Sequence, residues 1–142
     1  MSFDALGSLN WLAIIVGAVA YFAIGAVWFS PVLFGRAWQR SIGWDPNRTP
    51  PQMQATTYVI PLVAFVVMGI AMGLVADATG TDTFGEGLIL GLVVGIGFAL
   101  MHTAVDATFD PNKPQPWAWL VINGGYHALG LLILGVLLAV WQ

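Results

Sequence analysis

Apolar residues gather along the chain in four long blocks, with the polar ones concentrated between them. The blocks are Leu9–Phe29, Tyr58–Ala76, Leu88–Val105 and Trp117–Val140, and none contains a formally charged residue. A hydrocarbon core about 30 Å thick is crossed by roughly 20 residues of α-helix, so each block is long enough to span it. Helix is required because lipid leaves every backbone N–H and C=O to be satisfied within the segment. The pattern predicts an all-α polytopic membrane protein, a bundle of four transmembrane helices forming one domain over residues 1–142. The first block lacks a basic stretch before it and is too long for the apolar region of a signal peptide, so it is expected to remain as a span.

The polar intervals carry structure of their own. "LFGRAWQRSIGW", residues 33–44, places Phe34, Ala37, Trp38 and Ile42 on one helical face and Arg36, Gln39 and Arg40 elsewhere. That arrangement predicts a short helix in the headgroup layer with its arginines near anionic lipid. Pro46, Pro50 and Pro51 should extend the chain beyond it. Pro61 falls inside the second block and should kink it. "DPNRTPPQ" from Asp45 and "DPNKPQP" from Asp110 echo each other; Asp-Pro-Asn turn chemistry explains the echo, with duplication of a hairpin as the alternative.

Composition sharpens the picture. The chain is 58% apolar and 8% charged, against about 25% charged in soluble domains. With no cysteine, disulfide and thiolate-metal frameworks are excluded. A formal charge of −3 and only four basic residues leave no stripe for nucleic acid. Arg36, Arg40 and Arg48 lie between blocks one and two, and Lys113 between blocks three and four. The opposite connection holds Asp77, Asp82 and Glu86. Basic residues favour the cytoplasmic side, so an N-out/C-out protein of the cytoplasmic (inner) membrane is expected, with loops 30–57 and 106–116 inside.

Glycine spacing suggests packing faces. Gly87, Gly91 and Gly95 recur every four residues, Gly69 and Gly73 form a second pair, and Gly17, Tyr21, Gly25 and Trp28 align on the first span. Small residues at this spacing let helix backbones approach closely in lipid. The pattern does not say whether the neighbour belongs to the same chain.

Ionisable groups inside spans are candidates for function. His102 lies seven residues beyond Gly95 and Asp106 one turn further, which in a regular helix turns both toward a packed neighbour. Asn123 lies at comparable depth on the antiparallel fourth span, and Tyr126 and His127 about one turn deeper. A polar cluster of His102, Asp106, Asn123, Tyr126 and His127 is therefore expected, serving as a clamp between spans or as a pocket or proton path. Lys113 is a candidate partner for Asp106. Neither a metal nor a cofactor is expected; ligation of one haem by His102 and His127 is made awkward by their different depths.

At the end of the first span "WFSPVLFGRAW", Trp28 to Trp38, resembles a bacterial family of small four-span integral membrane proteins catalogued as a domain of unknown function. The shared features are a W-[FY]-S-P-x-L-F-G-x-x-W element and a late histidine in each of spans three and four. The resemblance implies the fold and transfers no chemistry. Read physically, Ser30 and Pro31 form a helix stop whose hydroxyl can satisfy a freed carbonyl, with Trp28 and Trp38 anchoring the corner beside Arg36 and Arg40.

No HExxH, GxSxG or cysteine nucleophile occurs, and no paired catalytic carboxylates are evident, so a non-enzymatic protein is expected. The leading expectation is action by helix–helix assembly in the bilayer, as a homo-oligomer or as a small accessory subunit of another membrane protein. The alternative is a small proton-coupled carrier or channel built on the His/Asp cluster.

Overall fold

The computed structural model describes residues 3–48 and 53–141. Pro50 and Pro51 lie outside the described residues. Among those described, all regular structure is helical, and four helices are long and apolar enough to cross a membrane: span 1, Trp11–Trp28; span 2, Thr56–Thr79; span 3, Phe84–Phe109; span 4, Pro116–Val140. A short 3-10 turn, Phe3–Gly7, precedes span 1, and a seven-residue helix, Gly35–Ser41, follows it.

Local chemistry sets the helix ends. Asn10 caps span 1, its side-chain oxygen accepting from the Ala13 N–H at 2.9 Å. Span 2 ends at Gly80, whose φ of +64° favours glycine, with the Thr81 N–H reaching back to the Ala76 carbonyl. Thr83 and Glu86 form a reciprocal capping box at the start of span 3. Pro116 opens span 4 at a position where its missing N–H costs nothing. Spans 2 and 3 run past the apolar blocks because these caps lie beyond the lipid-like stretch. Pro61 sits within a continuous helix near the start of span 2.

Successive spans run antiparallel, so the 77–86 connection, Asn10 and Trp141 share one end of the bundle. There the Asn10 side-chain amide donates to the Trp141 carbonyl at 3.2 Å. At the other end, the Gln115 N–H donates to the carbonyl of fully buried Ser41, tying the short helix to the start of span 4. Arg36, Arg40, Arg48 and Lys113 all lie at this end.

Span 4 is central. It packs along its length against span 3 and also meets span 1, which in turn packs on span 2. The face of span 1 bearing Gly17, Tyr21, Gly25 and Trp28 meets span 4: a Cβ at Gly17 would lie 2.5 Å from Leu134 Cδ1, and one at Gly25 2.7 Å from the Tyr126 hydroxyl. Gly69 and Gly73 lie against Ile14 of span 1, and Gly73 also against Leu9 just before that span. On span 3, a Cβ added at Gly87, Gly91 or Gly95 would come within 2.6–2.9 Å of span 4 backbone atoms. These contacts all lie within one chain. Spans 2 and 3 scarcely approach each other.

Candidate functional site

The bundle interior near mid-span is aromatic and polar together. Tyr21, fully buried on span 1, stacks on Phe65 of span 2 with ring centroids 4.2 Å apart and planes 4° from parallel. Its hydroxyl donates to the His127 backbone carbonyl at 3.1 Å and shares a 2.8 Å hydrogen bond with His127 Nδ1. A phenol has one proton to give. If the carbonyl receives it, Nδ1 must carry its own hydrogen and donate to the phenol oxygen, leaving Nε2 as the acceptor. The Tyr126 hydroxyl donates to the Tyr21 carbonyl at 3.0 Å, so each tyrosine ties spans 1 and 4. A Cβ at Gly130 would collide with the Tyr21 ring, so the glycine makes room for that ring.

This interior group differs from the expected cluster. Tyr126 and His127 belong to it; Asn123 does not, its amide donating to the Trp119 carbonyl of its own helix at 3.0 Å. His102 and Asp106 stand apart. Their side chains are 79% and 50% exposed, with Nε2 3.7 Å from Oδ2, on the outer surface of span 3. Nor does Asp106 pair with Lys113, whose ammonium bonds Asp110 and lies 4.1 Å from the centre of the Trp119 ring.

The cause is local. At about 100° per residue, the seventh and eleventh residues beyond Gly95 return to its face in a regular α-helix. Val93–Leu100 is instead π-helical, with one more residue in each hydrogen-bonded ring. One added residue advances the rest of the span by about 100°. Thr103 and Ala107, eight and twelve residues beyond Gly95, therefore take the inward face, and both are buried. The Thr103 hydroxyl donates to the Ala99 carbonyl at 2.7 Å, serving an acceptor where π meets α.

Between spans 2 and 3 lies an open groove of about 210 Å³, lined by Met68, Met72, Val94, Phe98 and Leu131 among other apolar side chains. His102 and Asp106 follow Phe98, itself exposed beside the groove, on the outward side of span 3. His127 lies one turn from Leu131 on the corresponding face of span 4.

At the end of span 1 the expected anchors divide. The Trp28 indole turns inward and donates to the Ile122 carbonyl of span 4 at 3.0 Å. Trp38 packs edge-on against Phe29 and Trp44, while Arg36 and Arg40 are exposed. The turn through Ser30 and Pro31 is held by the Ser30 backbone carbonyl, which accepts from the Leu33 and Gly35 N–H groups. A Cβ at Gly35 would collide with the Phe29 carbonyl and lie 2.7 Å from that of Ser30, which explains the glycine of the W-F-S-P-x-L-F-G element. Gly35, Tyr21 and Phe65 were not among the expected site residues; the glycine could have been found from its place straight after the Ser-Pro turn.

The two Asp-Pro-Asn loops share one local structure. Asp45 accepts from the Asn47 N–H and Asp110 from the Asn112 N–H, each at 2.9 Å. Each aspartate also meets the basic residue three positions on. The Lys113 ammonium and the Asn112 N–H hold the Asp110 carboxyl below the usual carboxylate range. Among the described residues, no three His, Asp or Glu side chains gather as a ligand set for a metal ion.

A family model described as a protein of unknown function (DUF1761) matches residues 12–139. No curated protein and no solved structure matches the chain.

Proposed function

We propose that this chain, which belongs to that family of unknown function, is a non-enzymatic protein of the cytoplasmic membrane that works by assembling with another transmembrane element, a second copy or a larger partner it serves as accessory subunit. One observation carries the reading. Spans 2 and 3 stay apart around an all-apolar groove, and the open face of span 3 continues into His102 and Asp106. Ionisable side chains at membrane depth are costly toward lipid and usually face protein or water, so this face is one that a neighbour covers. The glycine seams, whose spacing left the neighbour open, pack within the chain and leave the groove side as the surface for association. The clustering of all four basic residues at one end supports an orientation with that end cytoplasmic and both termini outside.

Native mass spectrometry of the protein released from its own membranes tests this reading. A discrete homo- or hetero-assembly is the expected result. A monomer from membranes that retain other complexes intact would refute it. The carrier reading keeps one observation, His127 held at mid-span by Tyr21, but its proton path would have to run without His102 and Asp106 beside it. Proton flux in liposomes that is lost in His127→Ala would favour that second reading over assembly.

A further inference from the structure

We infer that Val93–Leu100 is a register switch in span 3, and that both of its registers are populated in a bilayer. The inference stands independently of the assembly reading. In the described register the segment is π-helical, Leu100, Thr103 and Ala107 face span 4, and His102 and Asp106 face outward. In the second register the segment closes to an α-helix and Met101–Phe109 turns by about 100° about its axis. Ala99, His102 and Asp106 then take the three inward places.

The exchange suits the packing. It replaces one large and two small side chains with one small and two larger ones, so the volume against span 4 is nearly conserved, the kind of swap cores tolerate best. Leu100 now fills the space beside Gly124, and Ala99 in its place would leave room for the incoming imidazole. The polar balance also favours a second state. Outward, the His–Asp pair lies at membrane depth on an open face, where ionisable groups are costly. Inward, it meets span 4 in the places now held by Thr103 and Ala107, where Asn123 of that span has an amide bonded only within its own helix that can be redirected. Nothing has to move on the outer side, because spans 2 and 3 scarcely touch. Beyond Phe109 the chain becomes extended at Asp110, where the turn can be absorbed before span 4 begins.

Solid-state NMR of histidine-labelled protein in liposomes tests this directly, since the chain has only two histidines. Signals of His102 are assigned by their loss in His102→Gln. The expected result is two His102 sets, one receiving magnetisation from protons of span 4 around Gly124 and one without that contact, in a ratio within about tenfold whatever covers the outer face. Deleting Gly97, an exposed residue of the π stretch, removes the extra residue while leaving Thr103 and Ala107 inward. Only the set without the span 4 contact should survive. A single His102 set in the wild-type protein overturns the proposal, and so do two sets that persist after the deletion. If the Gly97 deletion does not fold, deletion of Ile96, equally exposed in the same stretch, gives the same register, and the wild-type count is decisive alone.

Discussion

Substituting Gly91 with alanine tests the seam between spans 3 and 4. A Cβ there would lie 2.6 Å from Leu132 Cα and 3.0 Å from the carbonyl oxygens of Leu131 and Leu132. All three are backbone atoms, so no side-chain rotation relieves the clash. Carbon atoms pack best at about 3.5–4.0 Å, so the helices must part by about 1 Å at this level, and a gap of that size forfeits a quarter to a half of each dispersion contact across it. Overpacking of this kind costs about 1–3 kcal/mol. Alanine also gains about 0.5–1 kcal/mol of helix preference over glycine, so the measurement needs an internal reference. Gly125→Ala supplies one, because its Cβ would meet Trp28 Cζ2 at 3.6 Å, an ordinary contact distance. Unfolding by SDS in mixed micelles, followed by the fluorescence of the seven tryptophans, should place Gly91→Ala about 1–3 kcal/mol below Gly125→Ala. Equal midpoints would refute the close approach. A Gly91→Ala protein that keeps its stability but loses an oligomer would move the seam from within the chain to between chains.

Two further predictions follow from the interior and the loops. Tyr21→Phe keeps the stack on Phe65 but removes the hydroxyl that joins His127, and the same SDS titration should show a loss of about 0.6–1.7 kcal/mol, the range for an interhelical hydrogen bond in a membrane protein; an unchanged midpoint would mean the hydroxyl contributes nothing to holding spans 1 and 4 together. Asp110 has its pKa depressed in the folded loop by Lys113, then by the Asn112 N–H, so its contribution to stability is complete above the unfolded value of about 3.9 and is lost as pH falls through the lower folded value. Wild-type and Asp110→Asn unfolding midpoints should therefore differ by a constant amount from about pH 7 to 5 and converge below about pH 4; a difference that grows on acidification would reverse the sign of the linkage.

Four helices long and apolar enough to cross a membrane were legible because that property is written in composition, as long uncharged apolar blocks of the kind a helix needs when no water is present to satisfy its backbone. Glycine spacing was equally readable as close packing, since a missing Cβ acts wherever the neighbour comes from. The face of span 1 through Gly17, Tyr21, Gly25 and Trp28 is a regular helical stripe, and it meets span 4 as such a stripe should. Periodicity failed at one place. The inward direction assigned to His102 and Asp106 depended on 3.6 residues per turn holding from Gly95 onward, and the π stretch Val93–Leu100 breaks that rule with no proline or charge to announce it.

By itself, then, the sequence determined the number of helices long and apolar enough to cross a membrane and the faces along which backbones can touch, because each depends on residue type at short range. Only the tertiary structure decided the rest: that Tyr21 and His127 bond across 106 positions of chain, that the glycine seams close on spans of the same molecule, and that spans 2 and 3 stand apart. Those outcomes depend on how helices choose partners and on a single residue of helical phase. A one-residue change in phase turns a side chain by about 100°, enough to move an ionisable pair from the bundle interior to its open face.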